Sequence, residues 1–595
     1  MRFIGLIAAT AVSVAAAPLN HHEVSTRDIL PPFSLPDVAP LSTLRAVGVT
    51  TKRATFLYGP GIGGGPTSPT GALGLALIAA DSALTDTELA AEAVLSTADR
   101  GVATLDIAKY NNLKTLDDYT KLYDDEWVQS TNPTGVMPGM LTNYTQDLLF
   151  SMERLSLNPY SVRRLIPGQD SLPFIVDSST VQNVAGTSLS SLLSQGRLFY
   201  VDHRDQSSLP RTAQFGAACD AYFYISPSSG AFLPLAIRTN YGSNLIYTPA
   251  DSANDWLLAK MMFNVNDFFH GQFHHLANTH FVAEVAFQAA VRTLSDNHPV
   301  YGVFKRLMYG AFGIRPLAVV VLFRQNGSID NFFAHSGGAA QTYSATLYNN
   351  GVAGAVQSNY FETNLRRRGL IGSTVGPALK SFPFYEDALV IHNSIKKFIT
   401  SFVNSYYSND ATVVGDAELQ AWMGEAVTAG SIDFPSSSTM KTRGQLIDLL
   451  SHMAHLVSTS HHTVNTNNLI TGGGVLPLNP SALYKDIPTA KGVTNVADYL
   501  IPVGPVLDMI QNQAFFSRPL IAGSNRTLIN MFNDAIMLSR MNSATRAANT
   551  KFMSEMQAQS QVVKNRKFDA QGLSQGMPFL WQSLDPNVAP WSLTI

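Results

Sequence analysis

Apolar spacing divides the chain into a short leader, a mixed segment and a long helical remainder. In MRFIGLIAATAVSVAAAPLN, Arg2 precedes an apolar run from Phe3 to Val14 and the small residues Ala15, Ala16 and Ala17. This order predicts a secretory signal peptide over residues 1–17. The run is shorter than the roughly 20 apolar residues of a membrane span, and no later uninterrupted stretch reaches that length. Residues 18–110 form an amino-terminal extension. It holds a proline-rich opening, the Gly/Pro-rich YGPGIGGGPTSPTG, which reads as a surface loop, and LGLALIAADSALTDTELAAEAVLSTADRG, which has helical composition. From 111 to 595, segments of helical period dominate, separated by Gly/Pro connections. The expected fold is mainly α with minor β, in one large domain. PLAVVVLF, Pro316 to Phe323, fits either a strand or a buried helix, because period alone cannot separate them.

Two of the apolar helical stretches carry clustered histidines. In FHHLANTHFVAE, Phe273 to Glu284, three fall within seven residues. In LIDLLSHMAHLVSTSHHTVN, the residues Leu446, Leu449, Leu450, Met453, Val457 and Val464 recur at helical steps and mark the buried stripe. His461 follows Val457 by four and precedes Val464 by three, so it points inward, and Asn465 lies one turn beyond it. His462 falls on the polar face with His455 and Asp448. His275 and His280 are five apart, about 140° around a regular helix. For both to reach one ion the chain must unwind locally, most simply through a π-bulge. His274 is placed in support of the site or on the surface.

Composition narrows the chemistry. A chain of 595 residues that is 45% hydrophobic and 14% charged can bury a large core. Its formal charge of -3 offers no basic excess for nucleic acid. Cys219 is the single cysteine, which excludes an intrachain disulfide and a cysteine-rich metal site. Asn143, Asn326 and Asn525 each begin a glycosylation triplet, in keeping with export. No HExxH occurs in either histidine cluster. Neutral imidazoles and an amide without thiolate suit iron, manganese or zinc; an anionic ligand is still wanting.

HLANTH (275–280), HHTVN (461–465) and the terminal PWSLTI together resemble the lipoxygenases. The likeness runs through SMERLSLNPYSVRRL (151–165), HPVYGVFKRLMYGAFGIRP (298–316), FPFYEDALVIHNSIKKF (382–398), ELQAW (418–422) and GLSQGMP (572–578). It implies a helical catalytic domain lacking the amino-terminal β-sandwich of the animal and plant enzymes. It implies metal ligands His275, His280, His461, Asn465 and the main-chain carboxylate of Ile595, with Gln272 as a supporting amide. It also implies that Gly302 biases the site of oxygenation and that Phe323 lies along the fatty-acid channel. WLLAK (256–260) is similar to the manganese-using secreted fungal members, whereas an isoleucine terminus is the habit of iron enzymes. The expected cofactor is one manganese ion, with iron as the alternative and no organic cofactor.

The chemistry this resemblance implies uses no side-chain base. A metal-bound hydroxide takes a bis-allylic hydrogen from a polyunsaturated fatty acid such as linoleate or linolenate, and O₂ adds to give a hydroperoxide. The expected protein is secreted, extracellular and monomeric, without a membrane span or nucleic-acid partner. Two other classes compete: a metal-dependent hydrolase using Glu284 as base, and a non-catalytic lipid-binding protein.

Overall fold

Every side of the helix Ala253–His275 faces protein, and the surrounding architecture follows from enclosing it. A computed structural model describes residues 30–36, 42–124, 136–465, 474–512 and 525–593; the leader 1–17 and Ile595 lie outside the described residues. The helix begins at Ser252, whose hydroxyl accepts a hydrogen bond from the Asp255 amide. A helix apolar on all faces must be buried, and its polar residues then need partners. Lys260 Nζ donates to Thr145 O at 2.6 Å and pairs with Asp147 at 2.9 Å. Asn264 accepts from Arg154 at 2.8 Å and donates to Leu478 O at 3.1 Å. Asp267 lies 3.2 Å from Arg154, 2.9 Å from His203 and 2.8 Å from Ser161. Burial alone would raise the Asp267 pKa, but Arg154 and His203 outweigh it and hold the group below the usual carboxylate range.

Helix accounts for 55% of the described residues and strand for 7%. The helix Val282–Thr293 packs on Ala417–Thr428, where Trp422 Nε1 donates to Ala286 O at 2.9 Å. Arg443–His455 and Ser543–Lys564 both lie against the long helix Pro383–Tyr406. In the amino-terminal extension, β1 (Leu57–Gly59) and β2 (Ser68–Thr70) form an antiparallel hairpin with Leu57 opposite Thr70. The Gly/Pro-rich loop connects these two strands, and β2 leads directly into the 39-residue helix Gly71–Lys109. That loop also has a structural duty: Arg315 Nη1 donates to Pro66 O, Thr67 O and Ser68 Oγ at 3.1, 2.9 and 2.7 Å. PLAVVVLF resolves as helix, its first two residues closing Ala311–Leu317 and Ala318–Leu322 forming a π turn.

A five-stranded antiparallel sheet of order β3-β4-β5-β6-β7 joins Arg163–Arg164, Leu198–Asp202, Asp220–Ile225, Phe232–Arg238 and Ile246–Tyr247. Phe199 pairs with Phe223 and Tyr200 with Tyr222. One face, with Phe199, Val201, Phe223 and Ile237, joins the main core. The other, with Leu198, Tyr200, Tyr222 and Tyr224, closes a smaller core over Leu165, Phe174 and Leu192. Both faces are apolar, so these strands lack the alternation that marks a half-exposed sheet. Among the described residues the paired strands belong to this sheet and the hairpin, and they build no β-sandwich.

Asp267→Ala leaves Arg154 and His203 buried without their shared carboxylate. The variant should lose about 3–5 kcal/mol of stability, read as a lower denaturation midpoint; an unchanged midpoint would contradict this account of the helix.

Candidate metal centre

The buried helix does not end at His275. Residues Leu276–Phe281 continue as a π-helical turn, and α-helix resumes with Val282–Thr293. A π turn closes i→i+5 bonds, which brings His275 and His280 to the same side, as their spacing demanded. The second histidine segment repeats the device: Arg443–His455 passes into the π turn Leu456–Ser460, then His461–Asn465. The two π turns pack against each other. Nothing in the spacing of a single histidine announced the second one.

Three imidazoles meet where the turns cross. Ring centroids are 5.4 Å apart for His275–His280, 5.1 Å for His275–His461 and 4.7 Å for His280–His461. One nitrogen from each ring lies within 4.8 Å of the others, close enough to bind one ion. Nε2 of His280 faces Nε2 of His461 at 2.9 Å. Burial lowers all three pKa values, that of His275 to about 4. The rings are therefore neutral near pH 7, the state in which imidazole coordinates a metal. Two neutral ring nitrogens face to face, with a third beside them and no thiolate, fit a divalent transition ion. Asn465 and Gln272 line the same pocket as His275 and His280. Gln272 Nε2 also donates to Val464 O at 3.3 Å, tying the first histidine helix to the second.

A family model described as lipoxygenase matches residues 169–514. The chain is 47% identical to the manganese lipoxygenase of Fusarium oxysporum over 96% of its own length and 94% of that protein's. The chain belongs to the lipoxygenase family. It is also similar to the manganese lipoxygenase of Nakataea oryzae, at 41% identity over 98% of this chain and 96% of that one. The solved structure of a manganese lipoxygenase matches with a TM-score of 0.92 at 42% identity, covering 95% of this chain and 100% of the other.

In this lipoxygenase an apolar pocket adjoins the histidines. Two connected spaces, of about 480 and 440 Å³, share Leu276, His280, Ile314, Ala318 and Phe323 as walls. Phe323 thus lines the pocket beside the histidines. Gly302 does not line these spaces: it sits in the helix Pro299–Leu307, where an added Cβ would meet the Phe33 ring at 2.5 Å. Its small size serves close packing against Phe33. The small residue facing the pocket is Ala318, which sequence reasoning missed because it lies in an apolar run of undecided conformation. Glu284 is 3.0 Å from Arg315 Nη2, in an ion pair at the wall of the smaller space. The hydrolase reading, which needed a free glutamate base, has no support from this geometry.

Other expected positions divide. His274 is buried and stacked on Tyr160, not on the surface. His462, expected on a polar face, is 3% exposed, because its helix is enclosed all round and the Ser583 backbone lies beside it. Asn326 and Asn525 are exposed. Asn143 is half-buried and its amide nitrogen donates to Pro578 O at 2.7 Å. Ile595 lies outside the described residues; Trp591 and Leu593, just before it, are buried.

The lowered pKa of His275, about 4 against a reference of 6.5, means that the unfolded chain binds the proton more tightly. Stability of the metal-free enzyme should therefore fall as pH drops from about 6.5 towards 4, and His452 and His462, both near 3, reinforce it. Equal denaturation midpoints at the two ends of that window would refute the neutral-ring assignment. Ala318→Ile should fill the junction between the two spaces and cut lipoxygenase activity about tenfold or more while leaving metal content unchanged. Full activity in that variant would place the substrate elsewhere.

Proposed function

We propose that this lipoxygenase is a secreted manganese enzyme that converts linoleate, linolenate and related polyunsaturated fatty acids, with O₂, into hydroperoxides. The observation that carries the reading is the convergence of three neutral imidazoles, His280 and His461 buried and His275 partly so, beside an apolar pocket. Manganese is favoured over iron because relatives at 41–47% identity along nearly the whole chain bear that metal in their names. His275, His280 and His461 would hold the ion through nitrogen and Asn465 through its amide oxygen. The carboxylate of Ile595 would add the anionic ligand, being ionised near neutrality; burial of Trp591 and Leu593 supports an inward course for the preceding chain.

When bound, manganese supplies reversible one-electron redox chemistry that no side chain here offers. The chain's own residues do the rest. Leu276, Ile314, Leu322 and Phe323 exclude water and surround the diene, so that a carbon radical meets only O₂. Ala318 leaves room beside His280. Gln272, bonded to Val464 O, keeps the two ligand helices in register. Overall one C–H bond becomes C–O–O–H and O₂ is consumed. No side chain serves as base, in keeping with the engagement of Glu284 by Arg315.

Export is supported by the order of residues 1–17 and by the exposure of Asn326 and Asn525. The amide of Asn143 is already committed to Pro578 O, which leaves the other two as the sugar sites of choice. Among the described residues no helix is long and apolar enough to cross a membrane.

The test is to purify the enzyme from culture medium, determine its metals and supply linoleate with oxygen. Stoichiometric manganese and rising conjugated-diene absorbance are expected, and deletion of Ile595 should abolish both. A metal-loaded protein inert towards unsaturated fatty acids, or one carrying iron alone, would contradict the proposal.

A further inference from the structure

The two π turns also meet at a second place, away from the apolar pocket. A separate cavity of about 290 Å³ has Tyr160, Asn278 and Ser460 among its walls and shares no lining residue with the apolar spaces. Tyr160 Oη and Ser460 Oγ share a hydrogen bond of 2.5 Å. Asn278 Nδ2, from the first π turn, reaches the same Ser460 Oγ at 3.5 Å. The Tyr160 ring stacks on His274, with centroids 5.2 Å apart and planes inclined by 22°. His274 immediately precedes the ligand candidate His275, and Ser460 immediately precedes His461. One phenol therefore touches the residue before a ligand on each of two helices that are distant in sequence.

Tyr160 is itself held firmly. Arg368 Nη1 donates to Pro159 O at 2.7 Å and to Val162 O at 2.9 Å, fixing the backbone on either side of it. The Phe384 ring meets it edge-on, with centroids 5.9 Å apart. π turns are rare and are sustained by what surrounds them, so an external brace at their crossing governs how far apart the two ligand sets stand.

We propose that Tyr160, through Ser460, is a positioning residue for the metal centre: it sets the spacing between the His275/His280 turn and His461. The proposal rests on those three histidines binding manganese. It assigns Tyr160 no contact with metal or substrate.

Tyr160→Phe and Ser460→Ala each remove one oxygen and add no bulk. In the full-length manganese enzyme, retention of the metal during dialysis against chelator and the Mn(II) electron paramagnetic resonance spectrum are compared with wild type. Each variant should lose manganese several-fold faster and show an altered zero-field splitting. The double variant should be no worse than Ser460→Ala alone, since Tyr160→Phe deletes only a bond that Ser460→Ala has already removed. Wild-type retention and spectra in the single variants, or losses that add in the double variant, overturn the proposal. If the unaltered enzyme binds no manganese at these histidines, the metal reading fails first and takes this inference with it.

Discussion

Five residues along an α-helix carry a side chain about 140° away from its starting direction, so His275 and His280 cannot share an ion on regular helix. The π turn Leu276–Phe281 resolves that conflict within the backbone, and the matching turn Leu456–Ser460 delivers His461 to the same point. A π turn in isolation has poor geometry, and here each is buried but for Leu276 at the start of the first, flanked by helix and packed against its counterpart. The site is in this sense a product of the core: without enclosure of the Ala253–His275 helix, nothing would hold the three rings together.

Enclosure sets the chemistry as well. The same burial that supports the turns keeps the imidazoles neutral, ready to donate lone pairs without competing protons. It also keeps water from the apolar walls formed by Leu276, Ile314, Leu322 and Phe323, where a carbon radical would need shelter. Polar groups in this region are committed to one another: Glu284 to Arg315 and Gln272 to Val464 O. What lines the open space is mainly apolar side chains, with His275, His280 and these paired polar groups among them.

Much of the site was legible because its residue types carry their own chemistry. Two histidines at a non-helical spacing and an inward histidine on an apolar stripe announce both the three rings that converge and the need for a π turn. Features that depend on tertiary enclosure were not legible. His462 was assigned to a polar face by helical period, which fails because the segment is buried all round from Leu449 to Asn465. The five-stranded sheet escaped notice because LFYVD and DAYFYI are apolar on both faces. The resemblance pointed to Gly302, which packs against Phe33 and does not line the pocket, while Ala318, in an apolar run that period could not assign, does. The Tyr160–Ser460 contact spans 300 residues and has no local signature.

Anomalous scattering at the manganese edge from crystals of the purified enzyme is the most direct test of the central claim. One peak is expected within bonding distance of a ring nitrogen from each of His275, His280 and His461. A peak elsewhere, or a site with any of those three rings turned away from it, would contradict the account.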